Sequence, residues 1–412
     1  MDNLLSKFSD KEILSLIKKY GSPLYLFDER GFIENFTALR KTFEKVYPNY
    51  VPAYSYKTNY TPYICKLVKE MGGFAEVVSD MELYFAKRIG CYSSHIVYNG
   101  PCKGKMLEHF LLDGGVSNID NLGEAERIIV LAKSNPQKKI RVAIRLNFDV
   151  NAGYVSRFGI ETNSDSLDIV FKRLKQFKNI KICGLHCHIS RARNADAWKK
   201  RMGVLLSAAD KYFIEAPEFI DVGSGMFASM DDSLASQFNM HVPSYEEYAE
   251  IVGGTMAKHY ANFRSKPKLM SEPGTTVIAR YISLITTVNN IKIIKNKCFA
   301  TVDSSYYNMG EICHWKKLPY RFISKGKGNK IQFDIDVMGY TCLEQDCIYS
   351  SFPEQLAVND IIIFGNVGGY SIVSKPPFIQ PNCRMISFAA DCTLKEIMRE
   401  ETYEDILKIF SI

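Results

Sequence analysis

The sequence predicts a (β/α)8 TIM barrel joined to a smaller β-domain, on three observations. From Val51 onward, short apolar segments alternate with helical patterns in a regular beat, as parallel strands joined by crossover helices would. Eight such segments can be counted, at Pro52–Lys57, Phe74–Val78, His95–Tyr98, Val116–Ile119, Ile140–Asn147, Ile182–His188, Phe219–Val222 and Lys268–Ser271. Eight strands with intervening helices fit a closed barrel better than an open sheet. After Tyr281 the beat changes to segments without long helices, at Ser283–Val288, Phe299–Val302, Ile331–Met338 and Ile361–Phe364. That pattern predicts a domain of antiparallel strands, to which Pro23–Phe27 adds one from the N-terminus. The expected division is a barrel over 31–280 and a β-domain built from 1–30 and 281–412.

At 412 residues the chain suggests two domains, and its 46% hydrophobic and 24% charged residues are ordinary for a soluble globular protein. The chain opens with a polar Met1-Asp2-Asn3 and an amphipathic helix expected from Leu4 to Tyr20, and no apolar run reaches the length of a membrane span. Eleven cysteines follow no signal peptide, and several, such as Cys65, Cys183 and Cys298, lie in apolar segments. Reduced thiols in a cytoplasmic protein are the simpler account. Part of the net charge of +7 is local: Lys316, Lys317, Arg321, Lys325, Lys327 and Lys330 lie together without an acid. No aromatic interleaving supports a nucleic-acid surface there, so a solvated loop is the plainer reading.

Barrel enzymes place their chemistry at the C-terminal ends of the strands. The polar residues to examine there are Lys57, Asn59, Glu76, Asn99, Asp120, Arg145, Asn147, His186, His188, the glycines after Asp221, and Glu272. Lys57 follows the apolar stretch Pro52–Tyr56, and a half-desolvated amine there can form a Schiff base with an aldehyde cofactor; a solvated lysine closing a strand is the alternative. Gly223-Ser224-Gly225 exposes backbone amides that can wrap a phosphate, or forms a tight turn only. Glu272 can keep a pyridine nitrogen protonated, or cap a turn before Pro273. His186 and His188 share one face of their strand while Cys183 and Cys187 take the other, so no metal site forms from them; a strand-end histidine can stack on a planar ring. Cys342, flanked by acids and turn residues, is a candidate proton donor or an inert thiol.

In this order the pieces resemble the alanine-racemase-like pyridoxal-phosphate enzymes, and within them the diaminopimelate, ornithine and arginine decarboxylase family. Tyr54-Ser55-Tyr56-Lys57-Thr58-Asn59 is similar to the family's lysine segment, Gly73–Leu83 to the segment that places an acid, here Glu76, near that lysine, and Asn99–Lys103 and Arg157–Ile160 to its next two motifs. The resemblance implies that Lys57 holds pyridoxal 5'-phosphate, that Glu76, Gly223, Ser224, Gly225 and Gly274 help bind it, that His188 stacks on its ring and that Glu272 meets its ring nitrogen. It further implies Cys342 as proton donor, Tyr370 near the cofactor, and a homodimer whose subunits share active sites. Departures stand beside the matches. Arg191 replaces a small residue of the phosphate site, Thr275 replaces a substrate-contacting arginine, and Glu311–Trp315 replaces a second carboxylate-binding segment. Glu344, His314, Trp315 and Tyr370 are then the candidate substrate-binding residues, and the expectation is a decarboxylase of an amino acid or an amino-acid conjugate with a substrate other than diaminopimelate. A racemase would carry arginine instead of Glu272, and a silent cofactor-binding homologue is the remaining alternative.

Overall fold

The computed structural model describes residues 7–151, 153–325, 334–389 and 391–411. They fall into two compact units, one of Phe36–Phe227 with His241–Thr276, the other of Met1–Asn35, Ala228–Met240 and Val277–Ile412. The stretch Ala228–Met240, expected inside the barrel, groups instead with the second unit. There the Gln237 side chain exchanges hydrogen bonds with the backbone of Lys317 at 2.8 and 2.9 Å.

After β1 (Leu24–Asp28), the strands of the first unit are β2 (Tyr50–Ser55), β3 (Phe74–Val77), β4 (Ile96–Tyr98), β5 (Val116–Ile119), β6 (Ile140–Asn147), the two-residue β7 (Ile160–Glu161), β8 (Ile180–His186), β9 (Phe219–Asp221) and β10 (Lys268–Ser271). Apart from β7, all pair in parallel in the ring β2-β3-β4-β5-β6-β8-β9-β10, which the β10–β2 and β5–β6 ladders close. All eight predicted strands are present in a closed (β/α)8 barrel, three with the expected ends and the others displaced by at most two residues. The helices between them start where the sequence supplies caps: Ser79, Asn121 and Asn194 each accept the backbone N–H of the residue three further on.

The second unit holds β1, β11 (Ile282–Ile294), β12 (Lys297–Val302), β13 (Tyr320–Ile323), β14 (Ile335–Met338), β15 (Cys347–Phe352), β16 (Ile361–Phe364), β17 (Met385–Phe388) and β18 (Leu394–Met398). Its sheet is mixed. Most pairings are antiparallel as expected, but β1 runs parallel to β17 and β12 parallel to β14. Each parallel pair is joined by a long stretch of chain, as parallel strands require. β1 is buried at every position because it lies between β11 and β17. The N-terminal helix runs over Asp10–Tyr20, shorter than expected. Ser9 accepts the Glu12 N–H while the Glu12 side chain bonds back to Ser9, a reciprocal cap that starts the helix there. Its Ile13 and Leu16 pack with Leu24, Leu26, Ile285, Ile363 and Ile386. Residues 4–6 of the predicted helix, 331–333 of the predicted strand, and Lys327 and Lys330 lie outside the described residues. All eleven cysteines are free thiols, and among the described residues no helix is long and apolar enough to cross a membrane.

One buried ion pair pins the barrel wall. Lys103 donates to Glu124 at 2.8 Å and to the carbonyls of Gly100 and Asn118 at 2.9 Å, and the side chains are 1% and 7% exposed. Glu124 also accepts from Ser117 and from the Asp120 N–H. Removing one partner of such a pair strands the other charge, so Lys103→Met is expected to lower stability by about 3 to 5 kcal/mol in urea unfolding. Adding Glu124→Gln should recover more than half of that loss, because the remaining acceptor no longer carries charge.

Candidate active site

The barrel interior is built in two layers. Ala53, Val97, Val116, Ala143, Phe219 and Met270, with Phe74 against them, form an apolar layer. Two residues further along the same strands stand Ser55, Asn99, Asn118, Arg145, Asp221, Glu272 and Glu76, all buried. Side chains two apart share a face of a strand, so a polar layer lies above the apolar one, toward the C-terminal ends. β8 reaches the same level with His186, which is three residues past Cys183 because its register against β6 shifts between Val142 and Ala143.

Lys57 is not on a strand. β2 ends at Ser55, and Lys57 lies in the single 3-10 turn Tyr56–Thr58 that follows. Its Nζ donates to Glu76 Oε2 at 2.6 Å and to Ser55 Oγ at 2.7 Å, and Ser55 Oγ itself meets Glu76 Oε2 at 2.5 Å. The turn fits because residue 274 is glycine: a Cβ there would stand 2.1 Å from Thr58 Oγ1. Asn99 joins the two acids of the mouth, donating to Glu76 Oε1 at 2.9 Å and to Glu272 Oε1 at 2.5 Å, while its own Oδ1 accepts from Asn118 at 2.6 Å.

Three fully buried groups gather below. One nitrogen of His186 and one oxygen each of Asp221 and Glu272 lie within 4.8 Å of one another, and His186 Nε2 is 3.2 Å from Glu272 Oε1. Burial pushes the Asp221 carboxyl well above the usual carboxylate range and the Glu272 charge adds to it, so of this coupled pair Asp221 is the member that keeps a proton. Burial also opposes the charge on Glu272, but His186 and Lys57 outweigh it and the net shift is downward, leaving Glu272 ionised. His188 stands just past β8, and its Nδ1 accepts the Ser224 N–H at 3.2 Å. Burial, then Lys57, holds the His188 pKa well below its usual value. Its ring is therefore neutral, and its 3.6 Å approach to Glu272 is not an ion pair. The acceptor role of Nδ1 assigns the proton to Nε2.

Gly223 opens the turn after β9 at φ 62°, and a Cβ there would meet the Cys187 carbonyl at 2.2 Å. Only glycine lets this turn lie so close to the chain after β8. The other mouth residues expected from sequence are supports. Arg145 Nη1 lies 3.3 Å from Asp120 Oδ1, Asp120 also accepts the Gly159 N–H, and Asn147 holds the carbonyls of Ser156 and Phe158. Asn59 Oδ1 accepts the Thr61 N–H just before the Pro62–Glu70 helix. Ser55, Asn118 and the protonated Asp221 were missed, although each stands two residues after an inward apolar residue, a signal the sequence contains.

The remaining candidates belong to the second unit. Cys342 is an exposed thiol in a loop held by Asp346, whose carboxylate accepts the N–H groups of Tyr306 and Thr341 at 2.8 and 3.0 Å. Tyr370 adopts φ 57°, a conformation that costs a residue with a side chain about 1 to 3 kcal/mol. Glu344, His314 and Trp315 are exposed, Trp315 at 80%, and His314 meets Tyr306 edge-on at 4.7 Å.

The barrel residues suit a flat aromatic aldehyde with an anionic tail: an amine fixed by a carboxylate, an ionised acid below, a neutral imidazole and a glycine turn. The description "Pyridoxal-dependent decarboxylase, pyridoxal binding domain" matches residues 33–279. The diaminopimelate decarboxylase of Methanocaldococcus jannaschii is 24% identical over 96% of this chain and 92% of its own length. That of Aquifex aeolicus is 27% identical over 70% of this chain and 68% of its own. The crystal structure of the M. jannaschii enzyme in co-complex with L-lysine superposes with a TM-score of 0.84 at 23% identity, over 97% of this chain and 94% of that one. With that domain spanning more than half of the sequence, the chain belongs to the pyridoxal-dependent decarboxylases, and its cofactor is pyridoxal 5'-phosphate.

Proposed function

We propose that this decarboxylase acts on a diamino acid with a distal carboxylate, of the diaminopimelate class, and releases carbon dioxide from its amino-acid end. The observation that carries the reaction type is the ionised Glu272 of the mouth, beside a neutral His188 and near the Lys57 amine. The substrate class rests on relatives that align over nearly the whole chain and are named diaminopimelate decarboxylases. It replaces the expectation of a different substrate drawn from Thr275, Arg191 and the segment Glu311–Trp315. A distal carboxylate needs a guanidinium in reach, not one at a fixed sequence position. Arg191 and Arg193, on the segment after His188, lie over the rings of Tyr154 and Phe227 at 5.5 and 5.2 Å and are candidates for that grip.

When bound, pyridoxal 5'-phosphate supplies an electron-accepting ring for the electron pair left by the departing carboxylate. In this reading Lys57 Nζ carries the cofactor, and Ser55 and Glu76 fix the direction of the amine. Glu272 holds a proton at the ring nitrogen, because a buried carboxylate favours a protonated neighbour. Asp221, itself protonated, leaves Glu272 the only charged member of the pair. His188 covers one face of the ring and keeps water from it. Cys342 Sγ delivers the proton that replaces the lost carboxylate, from a second copy of the chain in a homodimer with shared active sites.

Carbon dioxide release from a panel of diaminopimelate, lysine, ornithine and arginine tests the substrate. Diaminopimelate should give the highest kcat/KM, and a preference for ornithine or arginine would overturn the reading. The protein should absorb visible light, borohydride should bleach that band and fix a pyridoxyl group onto Lys57, as peptide mass spectrometry can locate, and Lys57→Ala should abolish both chromophore and turnover. Cys342→Ala should lower kcat by about 10²- to 10⁴-fold with cofactor affinity unchanged. Mixing inactive Lys57→Ala with Cys342→Ala should restore about a quarter of wild-type activity if sites are shared between copies, and none if they are not.

A further inference from the structure

Arg201 is a charge without an evident reason to be buried. It lies on the helix Ala195–Tyr212 with 0% exposure, its guanidinium 4.3 Å from the Trp198 ring centre. Nη1 donates to the Ser224 carbonyl at 2.9 Å, and Nη2 to the carbonyls of Ile189 and Ala192 at 2.6 and 2.8 Å. Burial opposes its charge, and these acceptors are neutral. A position that served packing alone would favour leucine or methionine, since burying a guanidinium against carbonyls carries a large desolvation penalty.

The geometry supplies the reason. In a trans peptide the C=O and the following N–H point in opposite directions. Drawing the Ser224 carbonyl toward Arg201 therefore turns the Gly225 N–H away from it, and drawing in the Ile189 carbonyl does the same to the Ser190 N–H. Among the described residues neither N–H has a protein acceptor. The two segments are in close register, since a Cβ on Gly225 would meet the Ile189 carbonyl at 3.0 Å. We propose that Arg201 is a positioning residue of the cofactor site: by holding the carbonyls of Ser224 and Ile189 it presents the amides of Gly225 and Ser190 to the phosphate of pyridoxal 5'-phosphate. The third bond, to Ala192, fixes the far end of the segment that carries Arg191. This inference rests on the cofactor-binding reading of the turn.

Dissociation constants of pyridoxal 5'-phosphate and of pyridoxal, which lacks the phosphate, are to be measured spectroscopically for the wild type, Arg201→Met and Arg201→Lys. Arg201→Met should weaken pyridoxal 5'-phosphate by about tenfold or more, because bonds to charged groups are strong, and leave pyridoxal within about twofold. Arg201→Lys, which keeps the charge with fewer directed donors, should fall between. Equal losses for both ligands, or none, would overturn the proposal; if Arg201→Met does not fold, the same comparison on Arg201→Lys decides. A wild type that binds pyridoxal as tightly as its phosphate ester would count against the phosphate turn itself, a separate failure.

Discussion

Three carboxyl groups, those of Glu76, Asp221 and Glu272, are buried inside one barrel, and the rest of the mouth is arranged around that fact. Carboxylates brought together in a low-dielectric interior cannot all be ionised without compensation. Each here has its own remedy. Glu76 takes Lys57 and Ser55, Glu272 takes His186 and the Asn99 amide, and Asp221 keeps its proton. Asn99 touches both Glu76 and Glu272, which fixes the separation of the acid that holds the lysine from the acid proposed to face the ring.

The apolar layer beneath makes these remedies effective. Small residues at Ala53 and Ala143 and larger ones at Phe219 and Met270 fill the barrel floor, so the charges above face protein dipoles on that side instead of water. The same inward face of each strand thus carries two duties in succession, packing first and polar chemistry two residues later. Lys57 escapes this alternation by leaving the strand, and the 3-10 turn brings its amine back over the polar layer to Glu76.

Most of the barrel was legible in the sequence because parallel strands leave short apolar runs separated by capped helices. The lysine, Glu76, Glu272 and His188 were legible as well, through the motifs that surround them. Asp221 and Ser55 were not, since a protonated acid and a bridging hydroxyl look in sequence like a turn residue and a strand filler. Arg201 hid in an amphipathic helix, where an arginine usually marks the solvent face; only its neighbours Trp198, Met202 and Leu205, all buried, betray the stripe it belongs to. The parallel pairings of β1 with β17 and β12 with β14 were illegible for a different reason: strand direction depends on distant partners, and a single strand carries no sign of it.

The place of β1 has a consequence for biosynthesis. Leu24–Asp28 is translated before every barrel strand, yet its two neighbours, β11 and β17, are made only after the whole barrel sequence has been translated. Throughout that interval the nascent chain carries a short apolar strand with both hydrogen-bonding edges open, the kind of segment that pairs with the wrong partner. The backbone bonds of the eight-stranded ring reach no further than Asn49 on one side and Pro273 on the other, so the ring can close while the chain is still emerging. The order of synthesis therefore favours the cofactor-binding unit as the first to fold, with the N-terminal segment as the part most in need of a chaperone.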